Sequence, residues 1–100
     1  MSPEEMAANA DTAARLLRAM ASRHRLMLLC LLNNGEQSVG QLNEVLQLPQ
    51  SSLSQQLSVL RKEELVTTRR DAQTIYYSLA SDEVKTIIAT LYQLYCTEAS

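Results

Sequence analysis

The residues of this chain best equipped for covalent chemistry are two cysteines, Cys30 and Cys96, which stand 66 positions apart. Two thiols so placed do not form the disulfide framework of a small secreted domain, so they are expected as free thiols. Read by residue type alone they fit packing, since Cys30 shares a helical stripe with Leu26 and Met27 and no nearby group stabilises a thiolate. His24 is the only histidine. A single imidazole with two distant cysteines lacks metal-ligand spacing, so no metal and no cofactor are expected. The second chemical signal is polar. Gln50, Ser51, Ser52, Ser54, Gln55 and Gln56 run almost without interruption, with Ser58 and Arg61 following. A glutamine amide offers a donor and an acceptor together and can bond bidentately to adenine, while serine hydroxyls serve bases or phosphates. Nothing points to catalysis: there is no phosphate-binding glycine loop, no histidine beside a nucleophile and no paired carboxylates.

The elements that must carry these residues are mostly helices. Leucine and alanine supply 17 and 11 of the 100 residues, Phe and Trp are absent, and two Gly and two Pro leave few tight turns. That composition favours helix and argues against a sandwich or barrel. Residues 1–5 are expected as a short mobile start, with Ser2 and Pro3 able to open a first helix that runs to about Met20. Ser22 caps a second helix, which stops at Asn33-Asn34-Gly35. Ser38 opens a short third helix, broken at Leu48-Pro49 because a residue before proline avoids helical backbone. A fourth helix from about Gln50 carries Leu53, Leu57 and Leu60 on one side and the Ser/Gln set on the other. Two strands, Leu65–Arg70 and Thr74–Leu79, are joined through Asp71-Ala72-Gln73. A last helix from Ser81 and Asp82 carries Val84, Ile87, Ile88, Leu91, Leu94 and Tyr95.

A short helix, a tight break and a helix with a Ser/Gln face make a helix-turn-helix pattern, and the hairpin that follows would be a wing. Arg69 and Arg70 at its tip would bring charge to the DNA backbone or minor groove, with Gln73 in the connection beside them. The same polar face also fits plain solvated surface. A net charge of −2 counts against indiscriminate polyanion binding but does not exclude a local basic face. The first and last helices are apolar over wide arcs, and pairing them across a two-fold axis would bury the excess. The longest apolar run, Leu26 to Leu32, is far short of a membrane span, and no export signal marks the start. A cytoplasmic domain covering residues 1–100, with no membrane partner, is expected.

From about Ala14 to Cys96 the chain resembles the ArsR/SmtB family of winged-helix regulators. The resemblance is carried by Leu17-Arg18-Ala19-Met20-Ala21, Arg25-Leu26 and Ser38-Val39-Gly40-Gln41-Leu42. It is strongest over Ser51-Ser52-Leu53-Ser54-Gln55-Gln56-Leu57-Ser58-Val59-Leu60-Arg61, with Leu65-Val66 and Ile75-Tyr76-Tyr77-Ser78-Leu79 after it. It implies an α-α-α-α-β-β-α winged helix-turn-helix and a homodimer built through the first and last helices. It also implies a double-stranded DNA operator that the protein leaves when an inducer arrives. Three positions depart from the family pattern: Pro49 stands for a serine cap, Gln56 for a frequent histidine, and Glu64 for a glycine that would accept positive φ at little cost. The metal-sensing members' ligands are missing from the third and last helices. The phrases Leu28-Leu29-Cys30-Leu31-Leu32 and Leu91-Tyr92-Gln93-Leu94-Tyr95-Cys96 are similar to the HlyU/BigR/SqrR branch, which senses persulfides and polysulfides through such a pair. That resemblance implies that Cys30 and Cys96 of one protomer join through added sulfur, a bridge able to span thiols beyond the roughly 7 Å Cα limit of a disulfide. Two other readings stay open: a general disulfide switch answering peroxide, and a helical interaction module with structural cysteines.

Overall fold

Serines set where the helices begin. Ser2, Ser22, Ser38 and Ser81 each accept a hydrogen bond from the backbone N–H three residues on, from Glu5, Arg25, Gln41 and Val84 respectively. Each bond fills one of the donors that a helix start leaves unpaired. In the computed structural model, which describes residues 1–96, the helices are α1 (Pro3–Met20), α2 (Arg23–Leu32), α3 (Val39–Leu46), α4 (Gln50–Lys62) and α5 (Asp82–Tyr95). The start of the chain, expected to be mobile through Glu5, is helical from Pro3, with Glu4 and Glu5 in the electropositive first turn.

The breaks have separate causes. α2 gives way to a turn at Gly35, whose φ of 130° no side chain adopts easily. α3 ends earlier than the proline requires. Gln47 takes the left-handed conformation at φ 54°, and the Asn43 side chain then clasps Leu48 through two bonds, to its carbonyl at 3.0 Å and from its N–H at 2.9 Å. That clasp makes the tight corner between α3 and α4. α4 closes with Glu64 at φ 62°. The Leu65 N–H bonds to the Leu60 carbonyl and the Glu64 N–H to that of Arg61, a complete Schellman ending built without glycine.

The sheet has one strand more than the sequence pattern predicts. Beside β2 (Val66–Asp71) and β3 (Thr74–Leu79) lies a two-residue β1 (Gln37–Ser38), paired antiparallel to Tyr77 and Tyr76 in the order β1-β3-β2. Neither Gln37 nor Ser38 favours strand by type; the free edge of β3 imposes the pairing. Ala72 and Gln73 form the turn, with Ala72 at φ 57°.

Leu28, Leu29, Leu42, Leu60, Val84 and Ile88 are fully buried and bring α2, α3, α4 and α5 to one core. Leu53 and Leu57 join them from α4, Met20 from α1, and Tyr77 from β3. The apolar side of α4 is thereby fixed inward, which decides which side chains it turns outward.

Candidate nucleic-acid interface and thiol cleft

With Leu53, Leu57 and Leu60 committed to the core, α4 presents Gln50, Ser51, Ser54, Gln55, Ser58 and Arg61 to solvent. Their spacing keeps them on one side of a 13-residue helix, about 20 Å long, which a DNA major groove can admit. Pro49 gives α4 no side-chain cap, so the N–H groups of its first turn keep no side-chain acceptor and suit an anion.

Two of the expected contact residues are held differently. Ser52 and Gln56 are half-buried. The Gln56 Oε1 accepts a 2.8 Å bond from Arg25 on α2, whose guanidinium also donates to the carbonyls of Ala19 at 2.6 Å and Arg18 at 3.4 Å.

The hairpin separates its two arginines in the same way. Arg70 is exposed, one pair from the last rung of the ladder, and Gln73 is exposed in the turn. Arg69 lies one rung further back, opposite Tyr76, so the tip itself is Ala72-Gln73 rather than the arginines. Its guanidinium is held by Glu36 through bonds of 3.0 and 2.7 Å and stacks 4.5 Å from the Tyr76 ring centroid. That hydrogen-bonded pair holds the Glu36 carboxyl below the usual carboxylate range.

The thiols meet elsewhere. Cys30 and Cys96 line one cleft of about 530 Å³ between α2 and α5, walled by Leu26, Met27, Leu31, Ile88 and Tyr92, with Val45 of α3 at its side. Both are exposed, so the expectation of buried packing cysteines gives way to two accessible thiols in an apolar cleft. Partial burial raises the Cys30 pKa, and negative charge on Cys96 raises it further. The thiol form therefore dominates near neutral pH. His24, expected on an exposed part of α2, is half-buried. Among the described residues no group of three or more His, Cys, Asp or Glu is placed to hold a metal ion, and no helix is long and apolar enough to cross a membrane.

Sequence reasoning missed Glu36 as the partner of Arg69 and Arg25 as the partner of Gln56, pairs 33 and 31 positions apart. No short-range pattern signals either one. It also missed Val45 beside the thiols, brought there by the packing of α3 against α2.

Known proteins resemble this chain in sequence and in fold. The profile of the family described as "Bacterial regulatory protein, arsR family" matches residues 22–68, from the cap of α2 into β2. The chain is 50% identical to the transcriptional activator HlyU of Vibrio cholerae over 96 residues, covering 96% of this chain and 89% of that one. It is 46% identical to the biofilm growth-associated repressor of Agrobacterium fabrum, covering 91% and 78% of the two chains. The solved structure of reduced HlyU from Vibrio cholerae superposes with a TM-score of 0.91 at 50% identity, covering 94% of this chain and 99% of that one.

Proposed function

This chain belongs to the arsR family of bacterial regulatory proteins and is a transcriptional regulator, not an enzyme; from that premise we propose a dimeric repressor released from its operator when sulfur bridges Cys30 and Cys96. The observation that carries the switch is the shared cleft: two accessible thiols, one on α2 and one just past α5, line the same apolar space.

DNA is held through α4 and the wing. Ser51, Ser54 and Gln55, with Gln50 at the helix start, reach base edges or the phosphates flanking them. Ser52 and Gln56 support that face from its half-buried side. Arg61 at the end of α4 and Arg70 and Gln73 on the wing supply backbone contacts, and Arg69 joins them when a phosphate displaces Glu36. The dimer forms through α1 and α5, where Leu17, Leu94 and Tyr95 are 54%, 67% and 81% exposed in the single chain. Two α4 helices held about 34 Å apart across the two-fold axis would then meet successive major grooves of a near-palindromic site.

The inducer is a persulfide or polysulfide. A thiolate of the pair attacks a sulfur of a hydropolysulfide and expels hydrosulfide, leaving a persulfidic cysteine; the second thiolate attacks that chain and expels hydrosulfide again. Both thiols are oxidised and the terminal sulfurs are reduced to hydrogen sulfide, so the reaction needs no other oxidant. The product ties α2 to the end of α5. Because α2 packs against both α3 and α4, the tie shifts the reading helix relative to the dimer helix.

Intact-mass analysis after hydrogen tetrasulfide treatment tests the chemistry. The wild-type chain should gain sulfur, lose two hydrogens and lose both alkylatable thiols. Cys30→Ser and Cys96→Ser should take up sulfur without an internal bridge. Independent modification of both cysteines in the wild type, with no bridge, would contradict the switch.

A further inference from the structure

Arg25 joins three elements. From the first turn of α2 it donates to the last carbonyls of α1, at Ala19 and Arg18, and to the Gln56 side chain on α4. We propose that Arg25 is a positioning residue which, through Gln56, sets how the recognition helix is presented to DNA. The proposal rests on the reading of α4 as the DNA-contacting helix and is independent of the thiol chemistry.

The chemistry of the two side chains gives the contact one sense. A guanidinium has donors only, so Gln56 must offer its oxygen to Arg25, which fixes the amide orientation. The planar fork suits Arg25 to several fixed acceptors at once, a geometry that a lysine ammonium cannot copy. The bonds are half-buried and charge-assisted, which makes them stronger than an exposed neutral pair. Gln56 is one turn from Ser52 and adjacent to Gln55, so its tether acts in the middle of the exposed polar face. α4 otherwise meets α2 and α1 through apolar contacts and the Arg15–Glu63 pair at its far end, 2.7 Å long. Apolar contacts are weakly directional; the Arg25 fork is the directional contact at the middle of α4.

A single glutamine reading a base and a glutamine holding a helix in place leave different signatures. Loss of a direct contact relaxes specificity at one base pair of each half-site. Loss of a tether relaxes it across every position that α4 reads.

The test uses the full chain in its reduced form and a duplex enriched by the wild type from a randomised pool. Affinity is read by fluorescence anisotropy for that duplex and for each single base-pair change in it. Arg25→Lys and Gln56→Ala should each weaken the enriched duplex about tenfold, the size of one charge-assisted hydrogen bond. Both should flatten discrimination across the whole half-site, and the double variant should be no worse than either single one. Should Arg25→Lys fail to fold, the half-site profile of Gln56→Ala still decides. A Gln56→Ala loss confined to one base pair, or additive losses in the double variant, would overturn the tether and make Gln56 a base contact of its own. Failure of the wild type to enrich any duplex would remove the DNA reading of α4, and the proposal with it.

Discussion

At the scale of single residues, the Cys30 thiol is raised first by partial burial and then by Cys96. Each cause has its own test. A negative charge on Cys96 makes a thiolate at Cys30 more costly in the apolar cleft, over and above the effect of burial. Cys96→Ser removes the second charge and leaves the burial. The pH at which Cys30 reacts with iodoacetamide should therefore fall, yet stay above the ordinary thiol range. An unshifted profile would mean that the two thiols do not sense each other. The wing arginines separate equally well. Arg69 is already neutralised by Glu36, whereas Arg70 is exposed and, among the described residues, has no such carboxylate partner. Arg70→Ala should flatten the dependence of duplex affinity on salt by nearly one unit of log–log slope, and Arg69→Ala by less. Glu36→Gln should raise affinity by freeing Arg69. Equal slopes for the two alanine variants would show that Glu36 gives way to phosphate at no cost.

At the scale of elements, the end of α4 offers the clearest stability test. Glu64 sits at φ 62° in the Schellman position that glycine ordinarily fills. A left-handed residue with a Cβ is strained by about 1–2 kcal/mol, part of which glycine gives back through its more flexible unfolded chain. Glu64→Gly should stabilise by up to about 1 kcal/mol, a rise of roughly 5 °C in Tm for a chain this size. A fall in Tm would locate a role for the carboxylate. Local chemistry made most helix boundaries legible in sequence: Ser22, Ser38 and Ser81 are caps by type, and Pro49 forbids a continuous α3–α4. Non-local chemistry hid the rest. β1 is polar and exists because β3 has an open edge, and α3 ends at Gln47 because Asn43 holds Leu48. The Ser/Gln face of α4 was readable from the spacing of Leu53, Leu57 and Leu60. The commitment of Gln56 to Arg25 and of Arg69 to Glu36 was not, since neither pair is close in the chain.

At the scale of the whole molecule, the shape favours a partner. The radius of gyration is 15.0 Å, against about 13 Å for a compact chain of this length, and the extents are 49 × 38 × 22 Å. α1 and α5 leave Leu17, Leu94 and Tyr95 exposed, the surface on which the proposed dimer would form. Sedimentation at micromolar concentration should report a dimer, and Leu94→Glu should shift it towards monomer and weaken operator binding in step. A wild-type monomer that still binds a two-half-site duplex tightly would remove the α1–α5 interface from the account. In the proposed switch, sulfur chemistry at two residues, carried by α2 and α5, separates a dimer from DNA, which spans all three scales. Fluorescence anisotropy on a duplex from upstream of the protein's own gene tests it most directly, with reduced protein, then after tetrasulfide and, separately, after diamide. Binding that is tight and salt-dependent when reduced, lost with tetrasulfide and kept with diamide is the expected result. Binding unchanged in all three states would contradict the account and leave Cys30 and Cys96 without a switching role.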